Sequence, residues 1–150
     1  MRHFLGRFRS AFAFVAFLSA LVPIDPVLAQ APKEEHKATL RVVMDDLRAE
    51  FLQLTNALLT DDFAGMERSA KTIEGHPLPD EIVTAIKGKL GKNFHAFEAI
   101  DERSHRAAGD LAKRAAAKDL SGSAKAFGHL ADGCVGCHKQ FRAALRPLSD

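Results

Sequence analysis

Cys134, Cys137 and His138 fall within "GCVGCHKQFR", residues 133 to 142, and the chain has no other cysteine. Two thiols at this spacing can close a redox disulfide, supply part of a metal site, or attach a haem through thioether bonds. An imidazole directly after the second thiol adds a ligand to the last two options. The element that carries the three residues has to decide among them.

Phe127, Leu130, Cys134, Cys137, Phe141 and Leu145 recur at steps of three and four, the spacing of one helical face. Both sulfurs therefore belong to a buried stripe, and His138, four positions after Cys134, reaches over the same face. A cofactor bound to both sulfurs would lie along the helix with an imidazole aimed at it, which is the arrangement of c-type haem attachment. A thioredoxin-like centre needs its pair at a helix N-terminus after a strand, where the dipole lowers the thiol pKa. This pair lies late in a helix with no βαβ pattern around it. A disulfide one turn long would constrain little of the unfolded chain, and a zinc site would want a second ligand pair. Haem attachment is the favoured reading, and a haem-free thiol-disulfide protein is the alternative.

The elements that must position this motif are all helical by pattern. Leu40, Val43, Met44, Leu47, Phe51, Leu54 and Leu58 mark a first long helix from Glu34 to Leu59. Thr60, Asp61 and Asp62 offer a cap for a second, whose apolar side is Phe63, Met66, Ala70 and Ile73. "GHPLPDE" stops it, and Pro79 fits the first turn of a short helix through Ile82, Val83, Ile86 and Leu90. A third long helix runs from Lys92 to about Lys118 with Phe94, Phe97, Ile100, Ala108, Leu111 and Ala115 inward. Ser121 or Ser123 is the expected cap of the last helix, which ends near Leu145. With no strand-like alternation, three long helices and one broken shorter one predict an all-α antiparallel four-helix bundle.

The N-terminus predicts export. Arg2, Arg7 and Arg9 precede the apolar run Ala11 to Val22, and "VLAQ" offers Val27 and Ala29 to a signal peptidase. Residues 1–29 are thus expected to be a cleaved secretory signal peptide, and residues 30–150 one domain. No later stretch is apolar enough to cross a bilayer, so no membrane span is expected after processing. Removing residues 1–29 takes three basic residues and one acidic one from totals of 21 and 19, leaving 18 of each. A neutral mature chain without a basic stripe excludes nucleic acid as a partner on electrostatic grounds. Paired carboxylates and nucleophile-base motifs are not visible, so no enzyme is expected.

A helical bundle whose last helix bears Cys134-Val135-Gly136-Cys137-His138 near its end, followed by Phe141 and Arg142, resembles the cytochrome c′ family. These are the class II c-type cytochromes, and the likeness extends to their low-spin, methionine-ligated relatives. It covers the layout of the mature domain, with specific matches in "CVGCHKQFR" and at the start of the first helix. The resemblance implies a periplasmic bacterial protein with one covalent haem c on Cys134 and Cys137, His138 as proximal iron ligand, and often a homodimer. Arg142, by the same resemblance, is the arginine near the haem edge; a plain helix-end charge is its other reading. Phe141 is expected to pack on the porphyrin.

Met44 is the candidate for the opposite side of the iron. In an antiparallel bundle the start of the first helix lies beside the end of the last, and at ~1.5 Å per residue Met44 and His138 both fall roughly 10–15 Å from one end. Periodicity alone makes Met44 a core filler; with a haem present, Met/His axial ligation is expected instead. Met66, on the second helix, is the weaker candidate. His36, His76, His95, His105 and His129 read as surface or boundary residues without a role. The expected function is one-electron transfer with redox partner proteins in the periplasm. A five-coordinate gas-binding or sensing haem protein, with Met44 only packing, is the alternative.

Overall fold

Thr39 has an extended backbone, and its side chain accepts from the Val42 amide, so helix α1 runs Leu40–Leu59. The computed structural model describes residues 39–148. The expected signal peptide, the segment 31–35, His36 and the helical start expected at Glu34 lie outside the described residues. The start at Leu40 corrects that expectation, because a capping threonine fixes the first turn six residues later.

Asp61 adopts a left-handed conformation between α1 and α2 (Phe63–Glu74), and Asp62 caps α2 by accepting from the Gly65 amide at 2.9 Å. Thr60, one of the cap candidates, instead donates its hydroxyl back to the Asn56 carbonyl. Pro79 lies just outside α3 (Asp80–Leu90) rather than in its first turn. A 3-10 turn at Gly91–Asn93, entered through the left-handed Gly91, leads into α4 (Phe94–Ala116), which is shorter at both ends than the pattern suggested. Asp119 caps α5 (Leu120–Leu145), accepting from the Gly122 amide at 2.8 Å. The expected serine cap is therefore wrong. Ser123 is wholly buried, and its hydroxyl has no hydrogen-bond partner.

Two apolar clusters fix how these helices are arranged. One joins Leu54 and Ala57 of α1, Met66 and Ile73 of α2, Leu111 and Ala115 of α4, and Ala126 and Leu130 of α5. The other joins Leu40 of α1, Ile82 and Ile86 of α3, Phe94 and Phe97 of α4, and Phe141 and Leu145 of α5. The chain thus leaves the second cluster for the first along α1, returns through α2 and α3, leaves again along α4 and returns along α5. That alternation is an antiparallel four-helix bundle whose second arm is the broken pair α2 and α3. Every described element is helical.

The break has a local cause. Pro77 and Pro79 each lack an amide donor, and proline disfavours the helical conformation of the residue before it, so α2 cannot continue past Gly75. The turn falls at the level where the two clusters meet, between Ile73 of one and Leu78 of the other.

Candidate functional site

The motif lies on this seam. Cys134 packs against the first cluster and Cys137 against the second, so the two sulfurs straddle the middle of the bundle on α5. Both cysteines are half-buried and unpaired. Burial raises the Cys134 thiol above its ordinary pKa, and burial, the Asp101 carboxylate and Cys134 push the Cys137 thiol up to about 11. In the polypeptide alone these are protonated thiols. Redox-active pairs need the opposite shift, toward thiolate, so the environment disfavours the thiol-disulfide alternative.

The register of α1 against α5 follows from one contact. Phe51 and Phe127 stack with ring centroids 4.9 Å apart. Met44 is seven positions before Phe51, and Cys134 seven after Phe127. Because the helices run antiparallel and seven residues come within ~20° of two full turns, Met44 and Cys134 lie about 10 Å along from the stacked rings on nearly the same faces. Val43 packs in the second cluster and Leu47 in the first, which puts Met44 at the seam by a separate route.

Met44 is 37% exposed and belongs to neither cluster, unlike the core filler that periodicity alone suggested. A filler would be covered. Met66, by contrast, is fully buried within the first cluster. His138 and Arg142 are exposed, on the flank of α5 that lies eleven and fifteen positions beyond Phe127. Phe141 is 3% exposed, with its ring edge-on to Phe97 at 5.7 Å, and so serves the second cluster. The structure brings Cys134, Cys137 and Met44 to one level, and it places Phe141 in the cluster against which Cys137 packs.

A family model described as cytochrome C′ matches residues 78–142. Over these residues the chain has the sequence pattern of the cytochrome c′ family. The matched stretch begins just before α3 and takes in Cys134, Cys137, His138, Phe141 and Arg142, while Met44 and all of α1 lie ahead of it. The match supports a c-type haem cytochrome, and this family implies a covalently bound haem c. Neither a curated protein nor a solved structure matches the chain.

The residues present fit such a group. Two thiols three positions apart on one face are the donor set for paired thioethers, and they lie where α1 and α5 pack sparsely and leave apolar side chains uncovered. Val135 beside them is exposed, Val43 and Leu47 opposite are half-buried, and Gly136 presents no side chain to anything within 4 Å. Among the described residues no helix is long and apolar enough to cross a membrane.

One cluster at the same level escaped the sequence reading. His76, in the turn between α2 and α3, stacks on His105 of α4 with centroids 4.7 Å apart and planes 13° from parallel. Asp101 lies one turn before His105, its carboxylate 3.5 Å from His105 Nε2. The i, i+4 spacing of Asp101 and His105 was visible in sequence, but nothing linear connects either to His76, which lies 25 and 29 positions earlier in the chain.

Proposed function

We propose that this cytochrome carries one electron at a time between redox partner proteins in the periplasm, with a single haem c bonded to Cys134 and Cys137. The observation that carries the reading is the shared level of Cys134, Cys137 and Met44 at the seam of the bundle. Bound there, haem c would supply a one-electron iron couple, and a methionine thioether held on the iron would favour the reduced metal and raise the potential.

The chain's own residues account for the rest. His138 holds the iron from α5 and Met44 from α1. Each Cα–Cβ bond of a helix tilts toward that helix's N-terminus, so in an antiparallel pair Met44 leans toward the level of His138, and His138 toward the level of Met44. Their offset along the axis is thereby reduced. Met44 is exposed rather than packed, which leaves its thioether free to ligate. Leu47, Val43 and the two clusters exclude water from the apolar flank of the site. Arg142, exposed one turn beyond His138, supplies a cation that pairs with a carboxylate at the edge of the group.

Carbon monoxide tests the axial assignment. The reduced wild-type protein should bind the gas poorly, and Met44→Ala should bind it readily, read from the Soret band. Ready binding by wild type, or an unchanged spectrum in the variant, would remove Met44 from the iron and favour a gas-binding protein.

A further inference from the structure

Three polar residues at the level of the seam have the composition of a metal site. His76, Asp101 and His105 each offer one ligand atom, and these atoms all lie within 4.8 Å of one another. None of the three is fully exposed. They come from two elements, the turn between α2 and α3 and the middle of α4.

Their hydrogen bonds select the nitrogens left for a ligand. His76 Nδ1 is 2.8 Å from the Ile73 carbonyl, and His105 Nδ1 is 2.5 Å from the Glu74 carbonyl. A carbonyl oxygen can only accept, so both Nδ1 atoms carry hydrogen, and each neutral ring keeps its lone pair on Nε2. Ile73 and Glu74 are the last residues but one and last of α2, so the two imidazoles also satisfy carbonyls that the helix end leaves without partners. An Nδ1–H held by a backbone carbonyl is the usual support behind a metal-ligating histidine.

The arrangement is short of one positive charge. With Nε2 of His105 bearing a lone pair, it faces the Asp101 carboxylate at 3.5 Å, two electron-rich atoms side by side. A proton on the ring or a cation between the groups relieves this. We propose that His76, Asp101 and His105 bind one divalent transition-metal ion of the zinc class. Two imidazoles and one carboxylate suit a borderline cation; calcium and magnesium prefer all-oxygen shells. Zinc bonds of about 2.0–2.2 Å need the three donors to close in by roughly an ångström and the His76 ring, stacked 13° from parallel on His105, to turn so that both Nε2 lone pairs meet at the ion. A fourth position stays open to water. His76 also borders a surface cleft with Val42, Asp46 and Pro79, which gives an ion a way in. The bound ion clips the broken arm of the bundle to α4.

Zinc chloride titrated calorimetrically into the mature holoprotein tests this. The expected result is one zinc per chain, weakened at least about tenfold in His76→Ala and in Asp101→Asn. Zinc should raise the melting temperature of wild type and leave that of both variants unmoved. His76→Ala changes a turn residue and spares α4, and its helical circular dichroism and Soret band check that it folds. Absorption at the zinc edge should report two imidazoles and an oxygen ligand. No uptake at about a hundred micromolar zinc, a site that survives the His76→Ala/His105→Ala double variant, or an edge spectrum without imidazole would overturn the proposal. None of these readouts depends on which residues ligate the haem iron.

Discussion

At the scale of residues, the motif's chemistry comes from where its two sulfurs lie, one against each apolar cluster. Burial keeps both thiols protonated in the polypeptide, with Cys137 pushed up to about 11, so neither is suited to disulfide exchange. That burial suits the proposed use of the pair as haem anchors. The double variant Cys134→Ala/Cys137→Ala should lose all covalently bound haem, seen as the absence of haem stain on a denaturing gel, while either single variant keeps one thioether. Haem stain persisting in the double variant would contradict attachment at these positions. His138 stands apart from the sulfurs in burial, exposed on the flank toward α1, which suits a ligand that must reach outward from its helix.

At the scale of elements, the aspartates that start α2 and α5 each bind the amide three positions on. Asp119 does more, since its carboxylate also accepts from Arg114 at 3.2 Å. The Gly122 amide first, and the Arg114 guanidinium second, hold the Asp119 carboxyl below the usual carboxylate range. A group whose folded pKa is depressed stabilises the fold above its unfolded value of about 3.9, and that contribution fades as pH falls through the lower folded value. Urea midpoints of wild type and Asp119→Ala should therefore differ by a constant amount from about pH 5 to 7 and converge below about pH 4. A gap that persists at low pH would mean that the carboxylate's charge contributes nothing. The cap also explains how Ser123 came to be inside: with α5 beginning at Leu120, position 123 turns inward among buried alanines and leucines.

At the scale of the whole molecule, the bundle is held at two ends and is loose at the middle. The first cluster draws small side chains, mostly alanine, from α4, which lets the helices approach closely around Leu54 and Leu130. Leu54 is wholly buried, so Leu54→Ala should cost about 2–5 kcal/mol in chemical denaturation through lost burial and the cavity left behind. A cost below about 1 kcal/mol would mean that the site collapses or that the first cluster contributes less than its burial suggests. The second cluster is aromatic, with Phe94, Phe97 and Phe141 in ring contact. Between the two, α1 and α5 pack sparsely, and the level left to other chemistry carries the cysteines on one arm and the histidine pair on the others.

The sequence by itself determined the helical class, the inward stripe of α4 and the Cys-x-x-Cys-His motif on the last helix, because each depends on residues within a few turns of one another. Phe94, Phe97, Ile100, Ala108, Leu111 and Ala115 are all buried as their spacing requires. Helix starts were less legible, since serine, threonine and aspartate compete as caps over a few positions and only the folded backbone selects Thr39, Asp62 and Asp119. The exposure of Met44, the core duty of Phe141 and the meeting of His76 with Asp101 and His105 were decided by tertiary structure alone. Each depends on how far one helix slides along another, and that register is set by side chains such as Phe51 and Phe127 interlocking across the bundle.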